Sequence, residues 1–499
     1  MEKIKKEGLL VMALLFVITA IIMIKPLNDL DEVWNYNFAK NISEGNLPYK
    51  DFSIIITPLV PIISSVFLNI FGNELLVMRG LAVILCTAII YIVYKILERL
   101  KVNKKLNYTF IIGLICIFLP HFRIDYNFFV LLNILIIMYI ELKDGSKDKA
   151  LLANIKKDIG LGILAGICIC SKQTTGLVVA LMLLVYKLVY ITNIKEFKLF
   201  IKKMFFRAIG VAIPLLVLLG YFISNNIMND FIDYCILGIN TFSNSIPYTD
   251  LILKSNLIVK ILAVIVPVFL VSSIVIYIKK KCKKEELEYN LLTIIPFALA
   301  SMIVAFPISD EIHFLVGALP SMISLVYGIN ILARKIKSEK NKKFLKDILR
   351  CCNILMSTSG LITACLMLCE CIITARNYTQ TNHFKYIIQT ETMANSIKTV
   401  NEYRESQDKK VYILDATSAI YTIPLDQYTK NYDMFVVGNF GKDGEDGIIE
   451  DLKTKEDCII LIKNENHERN WQNPEKVREY IIENMEKIGE VDVFDIYEN

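Results

Sequence analysis

The chain lacks most of the signals that mark a soluble enzyme. It has two Trp in 499 residues, no His/Cys set at metal-ligand spacing, and no strand-to-helix Gly-x-Gly-x-x-Gly. Gly438, Gly441, Gly444 and Gly447 stand among charged residues as a turn-rich loop, so nucleotide binding there is not indicated. The twelve Cys fall mostly within apolar runs, with Cys235 and Cys458 isolated. That excludes a disulfide framework, and Cys351-Cys352 and Cys369/Cys371 read as small apolar residues of a membrane protein. No internal repeat is visible, and the modest basic excess does not imply nucleic acid.

What the chain has in quantity is apolar length. It is 54% hydrophobic, with mean hydropathy +0.48, too apolar for an ordinary soluble domain. Runs of about 20 residues, long enough to cross roughly 30 Å of hydrocarbon, recur from residue 8 to residue 374 and then stop. Charge divides at the same place. Residues 1–374 hold 40 Lys+Arg against 26 Asp+Glu, and residues 375–499 hold 15 against 24. In a membrane chain the first excess reads as basic cytoplasmic loops.

Runs at 8–25, 75–97, 107–122, 126–142, 208–224, 257–278, 291–306, 313–333 and 354–374 each suit one crossing. The stretch 159–191 suits two short helices broken at Ser171-Lys172-Gln173-Thr174. The total is about eleven transmembrane helices. Lys3, Lys5 and Lys6 place the N-terminus in the cytoplasm, and no small-residue cleavage site follows Ile24-Lys25-Pro26. The apolar stretch 54–71 carries Pro58 and Pro61. If it crossed, every later basic cluster would lie outside, from Arg99 and Lys101 to the loop with Lys143, Lys147 and Lys149. It is therefore expected along the outer surface, with amphipathic helices in 28–74. An odd count puts the C-terminus outside. Strand-like runs at 411–414, 434–437, 458–462 and 491–496, and a helical pattern at 474–487, predict a small extracytoplasmic α/β domain over 375–499. Residues 1–374 form the membrane domain of this polytopic α-helical protein.

Ionisable residues at membrane depth are costly and usually mark a site. Here they collect at outer ends of the runs: Asp29, Asp31 and Glu32; Arg79; Arg123 and Asp125; Lys172; Asp310, Glu311 and His313. Singly, each also reads as a solvated turn charge, and Arg123/Asp125 as a weak local pair. Together they supply a carboxylate to take a hydroxyl proton and cations to stabilise an anionic lipid-phosphate leaving group.

The order of short motifs carries a resemblance. Asp29-Leu30-Asp31-Glu32 is followed by Tyr36, Ala39, Gly45, Pro48-Tyr49-Lys50-Asp51-Phe52, Pro58-Leu59, Phe71-Gly72 and Arg79. Later come Gly162-Ile163-Leu164-Ala165-Gly166 leading to Ser171-Lys172-Gln173-Thr174, and Phe306-Pro307 to His313 followed by Ala318-Leu319-Pro320. Over roughly residues 1–332 this resembles the GT-C glycosyltransferases, in the protein O-mannosyltransferase and aminoarabinose-transferase branch. The resemblance implies a polyprenyl-phosphate sugar donor and transfer, usually with inversion, to an acceptor protein, lipid or wall polymer on the outer face of the cell membrane. It implies Asp31 as general base, with Asp29 or Glu32 orienting it, and Asp29 and Asp31 as ligands if a divalent metal is used. It implies Lys172, Arg79, Arg123 and His313 at the donor phosphate, with Asp125 and Asp310 as further candidates. The carboxyl-terminal region resembles no named domain. A transporter or flippase of a lipid-linked or small polar substrate is the principal rival; it predicts repeats and midplane charges, which the sequence does not show. An assembly protein whose tail binds a partner is the second, and the outer carboxylates argue against it.

Overall fold

A computed structural model of the chain describes residues 2–27, 29–142, 154–241, 245–283, 285, 288–374, 383–384, 387, 389–427, 430, 432–467 and 473–499. The basic loop with Lys143, Lys147 and Lys149 lies outside these residues. Among the described residues, every apolar run expected to cross carries a helix. These are Glu2–Thr19 with a 3-10 extension Ala20–Ile24, Leu75–Arg99, Lys104–Phe118, Tyr126–Glu141, Ile155–Ser171, Gln173–Val185, Ile194–Ser224, Leu257–Cys282, Tyr289–Ser301, Glu311–Lys335 and Glu339–Thr374. Among the described residues six helical segments are long and apolar enough to span a bilayer: Glu7–Ile24, Leu75–Arg99, Gln173–Tyr190, Ile194–Ser224, Leu257–Cys282 and Glu311–Lys335. Leu257, Val268, Val271 and Ile276 stay exposed along one of them, an apolar exterior suited to lipid. The chain is a multi-pass membrane protein.

The Leu59–Phe71 helix has 13 residues, about 20 Å at 1.5 Å per residue, which is short of a bilayer. Pro58 stands at its N-cap and Pro61 in its first turn, where the missing N–H costs nothing.

The chain forms two compact units. The first comprises Met1–Ile22, Ala82–Val217 and Ser245–Leu368. Within it Ile155–Ser171 and Gln173–Val185 form a helical hairpin, interrupted at Lys172 by extended backbone (φ −150°, ψ 105°). Small residues let these helices approach closely. A Cβ on Gly176 would stand 2.3 Å from the Cys168 backbone, and one on Gly162 would stand 2.1 Å from the Arg207 carbonyl oxygen. The Gly162 to Gly166 run is thus a packing surface, as small residues commonly are between membrane helices.

The second unit comprises Met23–Leu81, Leu218–Asn244 and Cys369–Asn499. It contains a four-stranded sheet of order β1-β2-β4-β3, with β1 Lys410–Ile413, β2 Cys458–Lys463, β3 Glu486–Val491 and β4 Phe494–Glu498. β1 runs parallel to β2 and β4 antiparallel to both β2 and β3. Alternate strand residues Ile460 and Ile462 enter a core with Leu414, Ile448, Leu452, Val477 and Ile481.

Two expected strands differ. Residues 434–437 make no ladder: Val436 N donates to the Met434 carbonyl at 3.0 Å, and Asn439 Nδ2 to the same oxygen at 2.9 Å. Phe435, Val436 and Val437 are buried, so this apolar run fills the core as a turn. The run 491–496 is split by a hairpin at Asp492, whose φ is +51°, into the end of β3 and the start of β4.

Candidate functional site

The acidic motif opens the Leu30–Ser43 helix. Asp29 adopts extended backbone at the N-cap and its Oδ1 accepts from Asp31 N at 3.0 Å. This cap satisfies one of the orphan amides of the first turn, and carboxylates there oppose the positive end of the helix dipole. Asp29 and Asp31 are half-buried, whereas Glu32 is buried.

Glu32 is held by Arg79. Arg79 Nε donates to Oε1 at 2.9 Å and Nη2 to Oε2 at 3.0 Å, while Nη1 donates to the Lys25 carbonyl at 2.5 Å. Lys25 Nζ lies 3.8 Å from Glu32 Oε2. Arg79 is fully buried. Bidentate geometry suits a guanidinium and a carboxylate, and removing one partner of such a buried pair typically costs about 3–5 kcal/mol. The fold therefore separates the trio, with Glu32 turned into an ion pair and Asp29 and Asp31 left at the half-buried helix start. It also gives Arg79 a carboxylate partner of its own.

The rest of this helix departs from an amphipathic surface helix. Every residue from Glu32 to Asn41 is buried, although the run includes Asn35, Asn37, Lys40 and Asn41. Most of its polar groups meet protein partners, Asn35 Oδ1 being a buried exception. Trp34 Nε1 donates to the Ala416 carbonyl at 3.0 Å, Asn37 Nδ2 to Asp433 Oδ2 at 2.9 Å, and Lys40 Nζ to Asp426 Oδ1 at 2.8 Å. His383 bridges Asp426 and the Asn73 carbonyl. Sequence reading missed these groups. The available signal was a 14-residue helix too polar for lipid and too rich in Asn to be simply solvated.

A second constellation lies in the other unit, around the N-terminus of Tyr126–Glu141. Asp125 is its N-cap, with Oδ1 accepting from Phe128 N at 2.9 Å and Oδ2 3.4 Å from Arg123 Nε. Arg123 and Asp125 are both buried. Lys172 Nζ donates to Asn127 Oδ1 at 2.8 Å and stands 5.3 Å from the Tyr126 ring. The fold thus brings Lys172 and Arg123, 49 positions apart in the sequence, to one helix start, where amides and dipole also favour an anion.

Asp310 caps Glu311–Lys335. It accepts from His313 N at 2.8 Å, and its Oδ2 is 2.8 Å from His313 Nδ1. Burial would push its carboxyl up, but His313 and the charge of Arg123 hold it below the ordinary value. Asn127 and Tyr126, the partners of Lys172, carried no sequence signal of their own. Among the described residues no three His, Cys, Asp or Glu side chains are grouped to hold a metal. Asp29 and Asp31 alone offer the one or two carboxylates that a hydrated magnesium-type ion uses.

No family model matches the sequence, and no curated protein matches it. Solved structures do. ArnT from Cupriavidus metallidurans in the apo state aligns with a TM-score of 0.58 at 11% identity, covering 99% of this chain and 98% of that one. The same protein bound to undecaprenyl phosphate aligns at 0.59 and 11% identity, covering 98% and 97%. This chain has the fold of ArnT. At that identity the likeness is one of architecture, and it extends through the carboxyl-terminal region as well as the membrane helices.

In this chain the contact between Asn37 and Asp433 carries a pH signature. Asp433 is fully buried, and desolvation lifts its carboxyl from an ordinary 3.8 to about 7, against the pull of the Asn37 hydrogen bond. A carboxyl with a raised folded-state value stabilises the fold fully below its unfolded value, and that contribution is lost as pH rises through about 7. Asp433→Asn should therefore flatten the fall in thermal stability between pH 4 and pH 8. By pH 8 it should be more stable than wild type by up to a few kcal/mol. Superimposable melting-temperature profiles for the two proteins in detergent would contradict this.

Proposed function

We infer that this chain is a membrane glycosyltransferase that moves a sugar from a polyprenyl-phosphate donor to an acceptor on the outer face of the cell membrane. The observation that carries the reading is the half-buried Asp31 in the first turn of a helix locked by Glu32–Arg79, in a chain with the fold of a protein crystallised with undecaprenyl phosphate.

Asp31 acts as general base. It takes the proton of the acceptor hydroxyl as that oxygen bonds to the anomeric carbon, while the bond from that carbon to the phosphate oxygen breaks and polyprenyl phosphate leaves with the electron pair. Attack opposite the leaving group inverts the anomeric centre. Asp29 holds the first turn through its cap, and Glu32 and Arg79 hold the helix. Lys172, Arg123 and His313 stabilise the phosphate, whose charge rises as it leaves. A divalent cation on Asp29 and Asp31 would supply further positive charge near the acceptor oxygen.

Replacing Asp31 by Asn keeps its size and removes the base. Turnover should fall at least roughly 100-fold, with donor binding and detergent stability near wild type, and Asp29→Asn should cost less. Lys172→Ala should weaken donor binding. Wild-type turnover in both Asp variants would return the carboxylates to a capping role alone.

The chain crosses the membrane eleven times in this reading, with a cytoplasmic N-terminus and residues 375–499 outside. The parity of the basic loops supports it. Single cysteines placed at the exposed positions Lys50 and Lys442 in a cysteine-free background should react with an impermeant thiol reagent on intact cells. Cysteines at Lys104 and Lys340 should react only after permeabilisation. Reaction at Lys340 without reaction at Lys442 would overturn the count.

A further inference from the structure

The carboxyl-terminal residues line an open cavity of about 360 Å³ that the transfer chemistry does not use. It lies at the carboxyl ends of the parallel strands β1 and β2, the edge at which open α/β sheets place ligands. The chain leaving β1 supplies Thr417 and Tyr421, the end of β2 and the chain after it supply Lys463 and His467, and the Glu391–Glu405 helix supplies Ser396.

Charge selects the ligand. Residues 375–499 are strongly acidic, with 24 Asp+Glu against 15 Lys+Arg. Yet the described residues lining this cavity include Lys463 and His467 and no carboxylate. Asp415 and Asp492 stand behind Thr417 and Ser396 with their oxygens engaged by those residues, so the charges that face the cavity are those of Lys463 and His467, which favour an anion.

The polar groups are also fixed before any ligand arrives. His467 Nδ1 lies 2.6 Å from Asn464 Oδ1, which leaves Nε2 as the other ring nitrogen for a ligand. Thr417 is held through its amide (2.9 Å) and hydroxyl (2.5 Å) by buried Asp415 Oδ1, and Asp415 Oδ2 accepts from Asn473 Nδ2 at 2.9 Å. Ser396 Oγ lies 3.1 Å from the Tyr421 hydroxyl and also donates to Asp492, outside the cavity. The hydroxyl-bearing Ser396, Thr417 and Tyr421 line the cavity together with the apolar Met393, Ile397 and Ile420. That combination suits a sugar ring, whose edge is polar and whose C–H face is not.

We propose that this cavity binds an anionic carbohydrate, a sugar carrying a phosphate or carboxylate, and so selects the class of acceptor. The role as acceptor site rests on the glycosyltransferase reading; the binding itself does not.

Binding is therefore measured without donor, on the full-length protein in nanodiscs, by saturation-transfer NMR titration with glucose 6-phosphate, glucuronic acid, glucose and inorganic phosphate. Both acidic sugars should bind, and glucose should bind roughly tenfold more weakly, as the loss of one charged hydrogen bond requires. Lys463→Gln and His467→Gln should each weaken the acidic sugars several-fold, while Lys476→Gln, on an exposed helix, should not. Glucose binding as tightly as its phosphate, inorganic phosphate binding as tightly as the phosphorylated sugar, equal affinities in the Lys463 and His467 variants, or no binding of either acidic sugar would each overturn the proposal. Intact binding in a protein that transfers no sugar would remove the glycosyltransferase reading and leave the site. Intact transfer with no binding would do the reverse.

Discussion

The buried ion pair between Glu32 and Arg79 is the constraint on which the acidic motif depends. A carboxylate and a guanidinium removed from water are tolerable only when each satisfies the other, and here two parallel hydrogen bonds at 2.9 and 3.0 Å do so. The pair joins Glu32, the residue directly after Asp29-Leu30-Asp31, to the second turn of Leu75–Arg99, and through the Lys25 carbonyl to the segment before the motif. These three contacts hold the start of Leu30–Ser43, where Asp29 caps and Asp31 stands in the first turn beside it. A base that takes a proton in a transition state benefits from that fixity, because orientation lost on mutation costs rate even when the base remains.

The same helix is tied to the carboxyl-terminal residues by hydrogen bonds. Trp34, Asn37 and Lys40 donate to Ala416, Asp433 and Asp426, so the carboxyl-terminal residues supply the acceptors that a polar, fully enclosed helix requires. Residues 375–499 are in this sense part of the frame of the motif as well as the walls of a separate cavity. In the other unit the order is similar: Asp125 and Asp310 cap helices and steady Arg123 and His313, while Asn127 and Tyr126 hold Lys172. Carboxylates there position cations, and the cations are the groups suited to phosphate.

Much of this was legible in the sequence where the signal is local. Apolar runs announced the helices, the polar break in 159–191 fell at Lys172, and Gly438 and Gly441 take positive φ as a turn-rich loop should, whereas Gly444 opens and Gly447 lies within the Gly444–Lys453 helix. The runs 434–437 and 491–496 misled because an apolar stretch of that length fits a buried turn or a hairpin as well as a strand. The partnership of Glu32 with Arg79 and of Asn37 with Asp433 was not legible at all. These residues are separated by 47 and 396 positions, and no periodicity in one sequence links them. Nor does a lysine in a helix break reveal that an asparagine 45 positions earlier will receive it.

Whether the chain transfers sugar from a polyprenyl-phosphate donor or merely moves such a lipid across the bilayer is the point on which the functional proposal turns. Proteoliposomes containing the purified protein can be loaded with radiolabelled polyprenyl-phosphate sugar and supplied with cell-envelope extract, and both lipid and product followed with time. Labelled product should appear together with an equal amount of free polyprenyl phosphate. Relocation of intact lipid-linked sugar across the bilayer, with no polyprenyl phosphate released, would contradict the glycosyltransferase reading and favour a flippase.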